Sequence, residues 1–365
     1  MGGNQMKKNL LLITLVSCLG LYDTAMGCTG ITLQSTDGAT VVARTIDWSR
    51  TEMNNIYTVV PRGHNQQSLL PDGTMDGLSF ISLYGYVGMA VEQPEFVVDG
   101  TNEAGLSAAL FYFPNYGEYK PYNEADKDIS LADFQVVSWI LSRFSTIDQV
   151  KEAVNNVRII NIDPSASTVH WRITEPSGRQ VVMEIVDGIP HFYENEIGVL
   201  TNSPGYEWQL TNLNNYVNLH PGNAGPTKFG PITLRAFGSG SGFLGMPGDF
   251  TPPSRFVRAA FFKTYAVPRA NAYDTVMQSF HILNNFDVPL GAQFTAGSIP
   301  NDMPSATQWT VATDLKDMVI YYHTMYNRTI RSIDMKNINF ATVPFQYHTL
   351  DTQKQQLIIP AKINQ

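Results

Sequence analysis

Cysteine is nearly absent: 365 residues contain two, Cys18 and Cys28. Cys18 falls in an N-terminal segment read below as removed, so the mature chain can form no internal disulfide and keeps one unpartnered thiol. Charge is scarce too. Charged residues make up 15% and the formal net charge is −8; loss of Lys7, Lys8 and Asp23 with the leader takes it to −9. Nucleic acid and anionic membrane are poor partners for such a chain. The apolar run Asn9–Gly20 is too short to cross a bilayer, which takes ~20 residues, so no stable membrane insertion is expected after processing. The seven histidines are scattered, with no pair at ligand spacing and no cysteines beside them. No metal site and no cofactor are expected, and a Cys-His protease is disfavoured unless a histidine arrives through the fold. Alternating βαβ rhythm, internal repeats, low-complexity tracts and linkers are all missing. A doubly wound parallel sheet is therefore disfavoured, and residues 28–365 read as one domain.

What is present is a chain 43% apolar and 11% aromatic, able to bury a large core. It begins with the basic Met6-Lys7-Lys8, an apolar run, and Ala25-Met26-Gly27, which puts small residues at −3 and −1 of a cut before Cys28. This is the pattern of a secretory signal peptide. Residues 1–27 are expected to be removed and the product exported to the periplasm or medium. Leu15-Val16-Ser17-Cys18 has the alternative look of a lipoprotein processing signal; lipidation at Cys18 would demand a second cut before Cys28.

A cut before Cys28 places a thiol and a free α-amine on one residue. An α-amine with pKa ~7.7–8.0 is a usable base near neutrality. A thiol with pKa ~8.5 is partly ionised there, and a nearby cation ionises it further. Uncut, a lone cysteine is simply a small buried hydrophobe.

Two β-rich runs, Thr29–Thr36 and Ala39–Ile46, flank Asp37-Gly38, a hairpin signal. With a two-residue loop, Cys28 would lie opposite Asp47, Cβ atoms ~5 Å apart, and Arg44 would fall on the other face. Asp47 would then orient the α-amine, and Arg44 would favour the thiolate if a bulge or bend brought it round. The bland alternative is an ordinary Arg-Asp pair at a strand end. Asn202, in Leu200-Thr201-Asn202-Ser203-Pro204-Gly205, passes from a strand towards a helix; it is either a turn residue or an oxyanion-hole amide. Gly240-Ser241-Gly242-Phe243-Leu244-Gly245 fits a dinucleotide fingerprint in letters only, since no strand leads into it and no helix follows.

Helices are expected over Ser130–Phe144, Thr146–Val157, Tyr206–Val217, Ser254–Tyr265 and Tyr273–Asn284, the last capped by Asn271. Strands are expected before, between and after these helix pairs. Two mainly antiparallel sheets stacked between helix layers fit this order.

Five ordered blocks carry a resemblance: Cys28-Thr29-Gly30, Arg44-Thr45-Ile46-Asp47, Asn102-Glu103-Ala104-Gly105-Leu106, Thr201-Asn202-Ser203-Pro204-Gly205-Tyr206-Glu207-Trp208 and Pro247-Gly248-Asp249-Phe250-Thr251-Pro252-Pro253-Ser254-Arg255-Phe256. From Cys28 to about residue 340 the chain resembles the choloylglycine hydrolases, the conjugated bile salt hydrolases and penicillin V acylases. The resemblance implies an α+β, four-layer αββα sandwich of the N-terminal-nucleophile hydrolases, acting on linear non-peptide amides. It implies Cys28 as nucleophile and base, Asp47 as orienter of its amine, Arg44 beside the thiol, and Arg255 holding charge and geometry. Asn202 and the backbone N–H of Tyr112 would form the oxyanion hole. Bile salt hydrolases commonly carry asparagine at the Tyr112 position and penicillin V acylases tyrosine. The implied substrate is an amphipathic amide: a glycine- or taurine-conjugated bile salt first, with penicillin V or an N-acyl homoserine lactone as the alternative. A non-catalytic exported binding protein of the same fold is the rival of another class. The segment His220–Pro231, expected as a loop, looks like an insertion used for homotetramer assembly.

Overall fold

The computed structural model describes residues 27–50, 52–162, 167–293 and 303–363. Residues 1–26 of the expected leader, with the Cys18 signal, lie outside the described residues.

Strands β1 (Cys28–Gln34) and β2 (Thr40–Arg50) form the expected hairpin, but its loop is three residues long. Ser35 and Ala39 still pair, with Ser35 N–H donating to the Ala39 carbonyl at 2.9 Å, and Gly38 takes the left-handed φ of +84° that closes such a bulged turn. The Asp37 carboxylate accepts from the Ser35 hydroxyl and the Ala39 N–H, which stiffens the longer loop. Pairing therefore shifts by one: Cys28 opposes Ile46, not Asp47, and Gly30 opposes Arg44. A one-residue shift exchanges faces. Cys28 and Arg44 come onto the same face with no bend, and Asp47 moves beside the backbone of Gly27.

Beyond the hairpin run β3 (Asn55–Val60), β4 (Tyr86–Val91), β5 (Val97–Asn102), β6 (Ser107–Tyr112), helices α1 (Val136–Arg143) and α2 (Ile147–Ala153), and β7 (Val169–Thr174), β8 (Gln180–Val186), β9 (Ile189–Glu194) and β10 (Val199–Leu200). Helices α3 (Tyr206–Asn212), α4 (Pro252–Thr264) and α5 (Ala272–Leu283) lead to β11 (Met303–Asp314), β12 (Val319–Thr324), β13 (Arg331–Asp334) and β14 (Gln346–Thr349). One antiparallel sheet has the order β10-β1-β2-β11-β12-β13, the other β9-β8-β7-β6-β5-β4-β3-β14. Helices α4 and α5 cover the first and α1 the second, giving the αββα layering. With each sheet covered on both faces, β4, β5 and β7 are buried at every position and show no in-out alternation.

Two further sequence expectations change. Ser130–Ala132 is not helix but a short strand, parallel to Arg158–Ile160, and α1 begins at Val136; Leu131 and Phe134, three apart, continue the apolar stripe of α1 in the letters, and the pairing with Arg158–Ile160 overrides that spacing. The stretch His220–Pro231 is not all loop: Thr227–Phe229 pairs with Ile232–Leu234 in a hairpin that exposes Phe229, Ile232 and Leu234. The Asn271 cap forms as expected, and Thr146 caps α2 in a capping box with Gln149.

Candidate active site

Cys28 opens β1 between the two sheets and is buried. Its sulfur accepts from Arg44 Nη2 at 2.8 Å. Arg44 is itself wholly buried on β2, directed by the hairpin register. Its Nη1 donates to the carbonyls of Leu110 (2.6 Å) and Val98 (3.1 Å) on the facing sheet, its Nε to Thr45 O, and its guanidinium lies 4.3 Å over the Phe111 ring. A buried guanidinium with its donors paired is fixed in place.

Asn202 follows β10, the strand that pairs with β1 at Gly30 and Ile31. Its Oδ1 accepts from the Cys28 N–H (3.0 Å) and from Arg255 Nη2 (2.6 Å). Two donors on one atom fix the amide's orientation, and Nδ2 donates to Tyr112 O at 2.8 Å. One Nδ2 hydrogen remains for a ligand. Arg255, in the first turn of α4, donates from Nη1 to the Cys28 carbonyl (2.5 Å) and the Thr29 hydroxyl (3.0 Å). All six residues singled out in the sequence thus meet around Cys28, Tyr112 through its main chain. The cavity lined by Thr32, Gln34, Gln180 and Lys263, at the other end of β1, touches none of them.

Asp47 is the incomplete part. Its Oδ1 accepts from the Thr307 hydroxyl at 2.5 Å, while buried Oδ2 has no partner. The neighbour on that side is Gly27, whose carbonyl accepts from the Asp47 N–H at 2.7 Å. A Cβ at residue 27 would lie 2.7 Å from Oδ2, so a side chain there would push the carboxylate aside. Thr307 was not legible beforehand, because β11 reaches the site by a register known only from the folded sheet.

Burial pushes the Cys28 thiol above its ordinary range; Arg44 pulls it down and Asp47 pushes it up. Burial likewise raises Asp47, from 3.8 to about 7, against the pull of Arg255 and the Thr307 hydroxyl. The folded chain with Gly27 in place therefore binds a proton at Asp47 that the unfolded chain releases near pH 4. Stability from this group is full below that pH and is lost as pH rises through about 7. In protein made with Gly27 retained, Asp47→Asn should raise the melting temperature more at pH 8 than at pH 5, by roughly a few degrees. Equal shifts at the two pH values would contradict this.

Among the described residues no cluster of His, Cys, Asp and Glu could hold a metal ion. The arrangement presents a buried sulfur beside a guanidinium and an amide donor beside it, the parts of covalent acyl transfer.

Comparison with known proteins agrees with that chemistry. A sequence model of the linear amide C–N hydrolases, choloylglycine hydrolase family, matches residues 28–355. The bile salt hydrolase/transferase of Clostridium perfringens is 32% identical over 86% of this chain and 93% of its own length, and that of Lactiplantibacillus plantarum 31% over 90% and 98%. Penicillin V acylase of Pectobacterium atrosepticum is 25% identical over 82% of this chain and 78% of its own. The crystal structure of a mutant conjugated bile acid hydrolase from Clostridium perfringens superimposes with a TM-score of 0.79 at 30% identity, covering 92% of this chain and all of that one. Penicillin V acylase from Agrobacterium tumefaciens shares the fold, with a TM-score of 0.68 at 22% identity, over 86% of this chain and 88% of that one. The chain is a member of the choloylglycine hydrolase family and a linear amide C–N hydrolase.

Proposed function

We propose that residues 1–27 are removed during export and that the mature enzyme deconjugates glycine- or taurine-linked bile salts with Cys28 as its N-terminal nucleophile. One observation carries the reading: the nitrogen, sulfur and carbonyl of Cys28 are each held by a different side chain, Asn202, Arg44 and Arg255. An ordinary core cysteine needs none of these. The unpartnered Asp47 Oδ2 beside Gly27 supports the removal, since a cut at Cys28 would place an α-ammonium next to a carboxylate oxygen that has no hydrogen-bond partner.

In this mechanism the α-amine takes the thiol proton and the sulfur attacks the amide carbonyl. The oxyanion accepts from Asn202 Nδ2 and the Tyr112 N–H. The ammonium passes the proton to the leaving nitrogen, the amine departs, and a thioester remains. Water, deprotonated by the same α-amine, then releases the acid and the free thiol. Arg255 keeps Cys28 and Asn202 in register, and Asp47 keeps the amine in place.

Bile salts are preferred because relatives covering most of the chain at 30–32% identity carry that activity in their names. Tyr112, the residue commoner in penicillin V acylases, favours the second reading, phenoxyacetyl amides. Parallel turnover of glycocholate, taurocholate and penicillin V decides: the bile salts should lead in kcat/KM by tenfold or more, and a lead for penicillin V overturns the assignment. The exposed apolar hairpin at 227–234 supports assembly as a homotetramer, and light scattering on the same preparation should return four chain masses; a monomer mass rejects it.

A further inference from the structure

Two buried ionisable side chains have no part in that mechanism. His170 on β7 and Glu184 on β8 are 0% and 2% exposed. The His170 Nδ1 lies 3.1 Å from Glu184 Oε1, and its Nε2 lies 3.2 Å from the carbonyl oxygen of Thr201. Phe113 stacks on the imidazole, centroids 4.4 Å apart and planes within 8°. Glu184 Oε1 also accepts from the Tyr206 N–H at 2.9 Å, at the first residue of α3. The pair therefore grips both ends of the turn that contains Asn202.

The partners settle which nitrogen carries a proton. A carbonyl oxygen only accepts, so Nε2 must be a donor. The proton between Nδ1 and Oε1 belongs to the pair, on the ring or on the carboxyl, and Nε2–H is present either way. Thr201 is the residue before Asn202. Its hydroxyl donates to Pro252 O (3.1 Å), and Gln209 Nε2 donates to Asn202 O (3.3 Å). Of the bonds that hold this segment, the one to the Thr201 carbonyl sets the peptide plane from which the Asn202 side chain departs.

We propose that His170 is a positioning residue for Asn202: its Nε2–H fixes the Thr201 carbonyl, and Glu184 fixes the ring and the start of α3, so that the Asn202 amide meets the reacting carbonyl at a set distance. This rests on the reading of Asn202 as an oxyanion donor. Misplacement of a catalytic group by about 1 Å is enough to cost about 10²-fold in rate, and the loss falls on kcat because the charge it serves develops only in the transition state.

His170→Gln and His170→Asn separate this role from packing, because both remove the ring. Glutamine puts an amide near the Nε2 position and can still donate to Thr201 O. Asparagine puts one near Nδ1 and cannot reach it. In folded protein, His170→Asn should lose tenfold or more in kcat with KM within threefold of the parent, and His170→Gln should keep at least five times the kcat of His170→Asn. Alkylation of Cys28 by iodoacetamide, which builds no oxyanion, should stay within twofold in both. Equal kcat in the two variants, a parent-like kcat in His170→Asn, or alkylation that falls with kcat would overturn the proposal. Should neither variant fold, Glu184→Gln takes their place: Oε1 meets both Nδ1 and the Tyr206 N–H, and an amide end can serve only one of them, as donor to Nδ1 or as acceptor from Tyr206, so kcat should fall fivefold or more with KM within threefold, and a parent-like kcat refutes the idea. Asn202→Ala, run alongside, tests the underlying reading by itself; it should lose on the order of 10²–10³ in kcat, and a parent-like value rejects Asn202 as a donor whatever His170 does.

Discussion

Cys28→Ser should leave a folded protein whose amide hydrolysis falls by on the order of 10⁴-fold or more. The fold should survive because the change is nearly isosteric, and the contacts that seat residue 28 from Asn202 and Arg255 go to its main chain. The chemistry should not. A serine hydroxyl is hardly ionised near neutral pH, and Arg44, 2.8 Å from the sulfur, cannot lower its pKa far enough to matter. The shorter C–O bond also draws the nucleophile back from the position the thiol occupies. The check is release of glycine or taurine by the purified variant, with intact mass confirming the same N-terminus as the parent and circular dichroism confirming the fold. Undiminished turnover would remove Cys28 from the mechanism.

A chain that keeps Gly27 should be nearly as inactive, by a different route. Its Cys28 nitrogen is an amide and cannot accept a proton, so general base catalysis, typically worth 10²–10⁴-fold, is lost. Gly27 also occupies the space beside Asp47 Oδ2, so Asp47 has no ammonium to orient. Two proteins made in the cytosol, one starting Met-Cys28 and one Met-Gly27-Cys28, give Cys28 and Gly27 as first residues once the initiator is trimmed. The first should be fully active and the second should drop within the range above. A preparation whose mass still includes Gly27 and which turns over at the parent kcat would sink the mechanism. It would also make the α-amine dispensable, a result no Cys28 substitution can give.

The site residues were legible before the fold because they sit in short contiguous blocks, and because a thiol one residue past a small-residue cut is rare. Their arrangement was less so. Asp37-Gly38 announces a hairpin, yet whether its loop has two residues or three depends on the Asp37 carboxylate bonding back to Ser35 and Ala39. That single residue decided which face Arg44 takes. Tyr86–Val91 carries no period-2 signal because it is buried on both sides and shows no polar alternation, and Ser130–Ala132 reads as helix because Leu131 and Phe134 extend the apolar stripe of the helix that follows. Thr307, His170 and Glu184 lie far along the chain from Cys28, and only the sheet registers bring them near; a buried histidine bonded to a carboxylate has no signature in the letters.

Arg44 leaves the enzyme with an unusual dependence. The guanidinium that holds the Cys28 thiol belongs to one sheet, while two of the carbonyls that aim it, Val98 and Leu110, belong to the other. Hydrolysis is thus a caliper on the gap between the layers. Any change that slides or parts the sheets by a fraction of a hydrogen-bond length, whether dilute urea, pressure or a trimmed core side chain at Phe111, will register as lost turnover while the circular dichroism spectrum is still that of the native protein.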